Sequence, residues 1–161
     1  MAETRHLGIN FIGTATAVGK MRNEISVFWT ETGETHDFVT DENASLGGDH
    51  TAPPPLSLIV AGLAGCLMTN IRLFARKKGV QLNGLKVTVA ARWVREVTGT
   101  APHVANTDGF SLDVDMDCPQ DTETQLALLK AASAGCFVEH SLINPVAVSH
   151  RLKTADGWLD A

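Results

Sequence analysis

Residues 53–79 read PPPLSLIVAGLAGCLMTNIRLFARKKG. Three successive prolines fix φ and withhold backbone donors, so they close a loop and admit a helix only behind them. From Pro55 or Leu56 onward apolar residues recur at i+3 and i+4. The pattern predicts a helix running to about Lys78, where Gly79 stops it. Ile59, Leu63, Cys66, Leu67, Asn70 and Phe74 fall on one face of that helix. Arg72, Arg76, Lys77 and Lys78 come late, where cations suit the negative end of the helix dipole. Ala61, Gly62, Ala64 and Gly65 are small. Each interior glycine costs about 1 kcal/mol in a helix, and close approach of another helix is the expected reason for it.

Upstream of the helix, Leu7–Ile12, Ile25–Thr30 and Thr35–Thr40 read as strands, the last two joined by the turn Glu31–Glu34. Residues 41–55 read as a loop holding Gly47 and Gly48. Downstream, Leu85–Val97 reads as a long strand and Thr98–Asp108 as a loop. Phe110, Leu112, Val114 and Met116 then alternate with Ser111, Asp113, Asp115 and Asp117, the pattern of a half-buried strand. A second helix is predicted from near Asp121, with Thr122 and Gln125 resembling a capping box. Leu126, Leu129, Ser133, Cys136 and His140 share a face of it. Pro145–Lys153 reads as a last strand, and 154–161 as a peripheral tail. This order implies one α+β domain over residues 1–161, with a mostly antiparallel sheet on which both helices pack.

Composition narrows the function. At 161 residues and 17.2 kDa, the chain can bury roughly 70% of its unfolded surface without disulfide or metal staples. Thirteen Lys+Arg against 18 Asp+Glu leave a net charge of −5, which disfavours nucleic acid or an anionic membrane as partner. Met1–Gly8 has no apolar signal region. The apolar stretch Leu56–Met68, about 13 residues, is too short to span a bilayer. A cytoplasmic protein is expected. Gly13 to Gly19-Lys20 imitates a phosphate loop, but the spacing is one too long and Met21 replaces the Ser/Thr that would hold magnesium. Asn43-Ala44-Ser45 matches a glycosylation acceptor that has no meaning without secretion. The six histidines (6, 36, 50, 103, 140 and 150) are scattered, so no metal site is expected. His150, on the strand face of Val146, Val148 and Leu152, reads as a hydrogen-bonded core histidine.

Three cysteines do not make a disulfide scaffold. Cys118, ahead of Pro119, reads as a small structural hydrophobe. Cys66 and Cys136 each lie on an apolar helix face and each follows Ala-Gly. Each alone is more often a buried core thiol than a reactive one. His140, one turn beyond Cys136, is placed either to lower that thiol's pKa or to cap the helix end.

Several segments together resemble the OsmC and organic hydroperoxide resistance family. Asp41-Glu42-Asn43-Ala44-Ser45-Leu46-Gly47-Gly48-Asp49 is similar to its acidic loop. Ala52-Pro53-Pro54-Pro55-Leu56 with Ala61-Gly62-Leu63-Ala64-Gly65-Cys66 resembles its central helix, and Arg72–Gly79 the basic end of that helix. Gly135-Cys136 with His140-Ser141-Leu142 falls at its second cysteine, without the proline that commonly follows. The resemblance spans residues 20–153. It implies an OsmC-like intertwined homodimer with the long helices at its centre, acting without metal or bound cofactor. It also implies thiol peroxidase chemistry. Cys66 attacks an organic hydroperoxide, Cys136 resolves the sulfenic acid to a disulfide, and an external dithiol reduces that disulfide. Arg22 is the counterpart of the arginine that keeps the attacking thiol ionised. The glutamate that orients this arginine is replaced at its usual place by Leu56 and Ser57. Glu42 and Asp49 are the candidate substitutes. The alternative is a non-catalytic family member that binds a small hydrophobic ligand at the dimer interface.

Overall fold

The computed structural model describes residues 7–144 and 146–161. Its contacts divide the chain into two compact units, one ending at Ile59 and the other running from Val60 to Ala161.

The first unit is a three-stranded antiparallel sheet followed by a loop. Strands β1 (Phe11–Val18), β2 (Arg22–Trp29) and β3 (Glu34–Thr40) pair in that order. The first strand therefore begins four residues later than Leu7–Ile12 and runs on to Val18. The reason is Gly19, whose φ of +69° turns the chain directly back into β2. The apparent phosphate loop is thus a hairpin. Gly33 (φ +75°) makes the second turn, as the run Glu31–Glu34 implies. Residues 41–54 form the expected loop, with a short 3₁₀ turn at Ala44–Leu46 capped by the Asn43 side chain.

Most of helix α1 (Pro55–Lys78) belongs to the second unit. Its bounds agree with the sequence reading, and Gly79 at φ +67° ends it. The buried line is rotated relative to the expected face. Leu63, Leu67, Ile71 and Ala75 are buried, Cys66 and Phe74 flank them half-buried, and Ile59 is exposed. By length and composition alone α1 is apolar enough to cross a bilayer, a test that a core helix also passes. One side of it is core in this unit, against Leu128, Ala132 and Cys136. A Cβ at Gly62 or Gly65 would meet nothing within 4 Å, so no helix of this chain approaches them among the described residues.

Strands β4 (Gly84–Glu96) and β5 (Val104–Asp117) form one long antiparallel hairpin. Leu85, Val87, Val89, Leu112, Val114 and Met116 pack their side chains on the core. Residues 104–108, read as loop, are strand. Asn106 and Gly109 carry turn chemistry but pair with Val94 and Arg92 of β4, and the bulge at the Arg92/Trp93 register shift leaves Asp108 without a strand partner. Helix α2 (Thr122–Ala134) is capped by Asp121, whose side chain accepts from the Thr124 amide. Thr122 is therefore not the cap, and Gln125 donates to the Gln120 carbonyl instead. The expected single second helix is broken. Gly135 ends α2, and α3 (Phe137–Ile143) departs at 72°. His140 consequently lies exposed, and within α2 the buried line runs through Leu128 and Ala132, which leaves Leu126 exposed.

The C-terminal reading also needs correction. Pro145 lies outside the described residues. Residues 146–150 are not strand, and the supposed tail pairs as a hairpin of β6 (Arg151–Thr154) and β7 (Gly157–Asp160). Val146, Val148, His150 and Leu152 are exposed, so His150 is not a core residue.

Candidate functional site

The break between α2 and α3 positions the second cysteine. Cys136 occupies the cap of α3 in an extended conformation (φ −81°, ψ 106°) and is 0% exposed. The close approach that makes the break needs Gly135. A Cβ there would lie 2.9 Å from Phe74 Cζ and 3.3 Å from Asn70 Oδ1. Asn70 and Phe74 belong to α1, one and two turns beyond Cys66, so the glycine lets the second cysteine approach the stretch of helix that carries the first.

Cys66 and Cys136 are free thiols, half-buried and buried respectively. Cys136 belongs to the buried apolar cluster and Cys66 packs against it. Asn70 Nδ2 donates to the Cys66 carbonyl at 3.0 Å and approaches Cys66 Sγ at 3.7 Å. Burial pushes the Cys136 thiol up from an ordinary 9.0 to about 11. The neighbouring Cys66 and the Glu139 charge add to the rise, and the Glu139 backbone amide opposes it. One sulfur is thus provided with a donor and the other is held as a donor itself.

The raised value makes stability depend on pH. A thiol that ionises later in the folded state than in the unfolded one contributes stability fully below pH 9.0, and that contribution is lost as pH rises through about 11. The urea midpoint is expected to fall across this window more steeply in the wild type than in Cys136→Ala. Parallel curves for the two proteins would contradict it.

Arg22 stands in the first unit, at the start of β2. Its Nη1 donates to Thr51 Oγ1 at 2.9 Å, and Thr51 Oγ1 donates in turn to Asp41 Oδ2 at 2.8 Å. Asp41 is 2% exposed and also accepts from the Thr51 and Glu42 amides, both at 2.9 Å. These donors, the Thr51 amide first, hold its carboxyl below the ordinary 3.8. The carboxylate that orients Arg22 is therefore Asp41, acting through Thr51, and neither candidate named from the sequence. Asp49 is taken by Lys20 in an exposed ion pair of 2.6 Å, and Glu42 serves the network through its backbone. Thr51→Val removes the bridge at constant shape. It is expected to lower the urea midpoint at neutral pH. The deficit should vanish as pH falls well below 3.8, where Asp41 is protonated. A deficit unchanged at pH 3 would count against the relay.

Cys118 is half-buried and free at the junction of β5 and α2. Among the described residues no group of three or more His, Cys, Asp and Glu is placed to hold a metal. Sequence reasoning put Asn70 on the helix face without a role and did not single out Thr51 or Glu139. The i+4 spacing of Asn70 from Cys66 and the i+3 spacing of Glu139 from Cys136 were available signals, and Thr51 had none.

A family model described as OsmC-like protein matches residues 47–151. Among solved structures, an OsmC-like hydroperoxide resistance protein from Jannaschia sp. CCS1 is 38% identical over 95% of this chain and 98% of its own, with a TM-score of 0.65. Two others share the fold. They are the organic hydroperoxide resistance protein OsmC of Legionella pneumophila (21% identity, 84% and 90% covered, TM-score 0.57) and an organic hydroperoxide resistance protein of Elizabethkingia anophelis (20%, 88% and 92%, 0.54). No curated protein matches the chain significantly.

Proposed function

Because the chain belongs to the OsmC-like protein family, we propose that it is a thiol-dependent peroxidase that reduces organic hydroperoxides. The observation that carries this reading is the pair of free thiols Cys66 and Cys136, packed in one apolar cluster and unequal in their burial. The hydroperoxide resistance named for the Jannaschia protein supports it.

In this reading the Cys66 thiolate attacks the hydroperoxide oxygen. The O–O bond breaks, an alcohol leaves, and Cys66 becomes a sulfenic acid. Cys136, already beside it, displaces the sulfenic oxygen as water and forms the disulfide, which an external dithiol reduces. Arg22, held within the first unit by Thr51 on Asp41, is the cation that the family resemblance assigns to the attacking thiol. The whole chain acts as one domain in a cytoplasmic, intertwined homodimer. The unoccupied space at Gly62 and Gly65 suits a second long helix at its centre.

The test is a thiol titration. Reduced protein is expected to lose two thiols for each equivalent of cumene hydroperoxide, with the Cys66–Cys136 disulfide found by peptide mapping. Peroxide left unconsumed with both thiols intact would reject the proposal.

A further inference from the structure

Asn70 lies inside α1, where asparagine is a poor helix former because its side chain competes for backbone groups. Here it does so openly, with Nδ2 donating to the Cys66 carbonyl at 3.0 Å. The same nitrogen reaches Cys66 Sγ at 3.7 Å. A primary amide carries two N–H donors, so one serves the carbonyl and the other is directed at the sulfur. Thiol sulfur is a weak acceptor, and the second donor is poorly used while Cys66 is reduced. Asn70 Oδ1 is 3.3 Å from the place where a Gly135 Cβ would stand. One amide therefore spans from the Cys66 sulfur to the residue that precedes Cys136.

We propose that the Asn70 amide is the hydrogen-bond donor to the oxygen that leaves Cys66 when the Cys66–Cys136 disulfide closes. This rests on the peroxidase reading above and adds a residue to it. Once Cys66 is a sulfenic acid, an oxygen one bond beyond Sγ gives the second N–H a strong acceptor in place of a weak one. In closure the Cys136 sulfur attacks the Cys66 sulfur, the S–S bond forms, and the S–O bond breaks with its electron pair. The Cys136 thiol proton passes to solvent, and the departing oxygen takes up a proton and leaves as water. Cys136 is oxidised, Cys66 is reduced from the sulfenic to the disulfide level, and no further oxidant is needed. Negative charge grows on the oxygen only as the S–O bond breaks. A bond donated to it is therefore stronger in the transition state than in the sulfenic acid, and it speeds the step rather than only holding the reactant.

Single-turnover closure is followed by stopped flow at pH 7 after one equivalent of cumene hydroperoxide, in wild type, Asn70→Leu, Asn70→Ala and Asn70→Gln. Asn70→Leu, the apolar isostere, should close about 10- to 100-fold more slowly, the scale of one bond to a charged group. Asn70→Ala should do the same and stands in for leucine if that variant does not fold. Cys66 sulfenic acid, trapped by dimedone, should form at the wild-type rate and accumulate in both. Asn70→Gln returns a donor and should recover most of the rate. A change of leaving group then separates donation from mere placement of the sulfur. In a Cys118→Ser background Cys66 is loaded with 5-thio-2-nitrobenzoate, whose stable thiolate departs without help, and its release by Cys136 is read by absorbance. That release should be equally fast with Asn70 and with leucine or alanine in its place. Equal slowing of both reactions overturns the inference in favour of a structural role. So does closure from the sulfenic acid at the wild-type rate in Asn70→Leu or Asn70→Ala. A wild type that forms no sulfenic acid removes the peroxidase reading and this inference together. One that forms it and closes without regard to Asn70 removes only this inference.

Discussion

Replacing Cys66 by serine is expected to abolish hydroperoxide reduction, lowering the rate at least about 1,000-fold, the scale on which removal of an attacking nucleophile acts. A serine hydroxyl is not ionised at neutral pH, and Asn70 at 3.7 Å from the sulfur cannot make it so. The contrast with Cys136→Ser is the informative part. That variant keeps Cys66 and its donor, so it should still reduce one equivalent of peroxide and then stop, with Cys66 trapped by dimedone. Measured by peroxide consumption and thiol counting, wild type loses two thiols, Cys136→Ser one at this pair and Cys66→Ser none. Equal consumption by wild type and Cys66→Ser would sink the assignment of Cys66.

Gly48→Ala should produce the largest loss of stability among single-methyl changes. A Cβ at Gly48 would lie 1.9 Å from the Glu42 carbonyl oxygen, 2.4 Å from its carbon and 2.9 Å from its Cα. All three are backbone atoms, so no rotamer change relieves the overlap and the loop must open. That loop is closed by His50 N–H on the same Glu42 carbonyl at 3.0 Å and by Thr51 on Asp41. Opening it therefore releases Arg22 as well. A cost of about 3 kcal/mol, the upper part of the range for forced overpacking, is expected from urea unfolding. Gly13→Ala on β1, where a Cβ meets nothing within 4 Å, should cost nothing. Equal midpoints for the two variants would contradict the loop geometry.

Legibility in the sequence followed the strength of the local signal. The bounds of α1 were readable because a proline run and a glycine bracket a long apolar period, and local sterics decide both ends. β4 and the alternating half of β5 were readable for the same kind of reason. Residues 104–108 were not, because their turn-forming side chains are overruled by a partner strand that only the hairpin supplies. Helix α2–α3 was read as continuous because its residues allow a helix throughout. The break at Gly135–Cys136 comes from the approach of Phe74 and Asn70, which no local pattern contains.

The candidate site divides along the same line. Residue types and spacing set Cys66 and Cys136, each on a helix after Ala-Gly, apart from Cys118, while their roles and that of Arg22 came from the family resemblance of the motif around α1. Which carboxylate orients Arg22 was decided by the fold. Asp41, Glu42 and Asp49 are equivalent as sequence, and only the path of the loop buries Asp41 against Thr51 while leaving Asp49 to Lys20. The protonation of Cys136 was likewise undecided until packing removed water from it. Covalent identity and short-range periodicity are carried by the chain, whereas burial, partner choice and proton affinity depend on residues distant in sequence that meet only when it is folded.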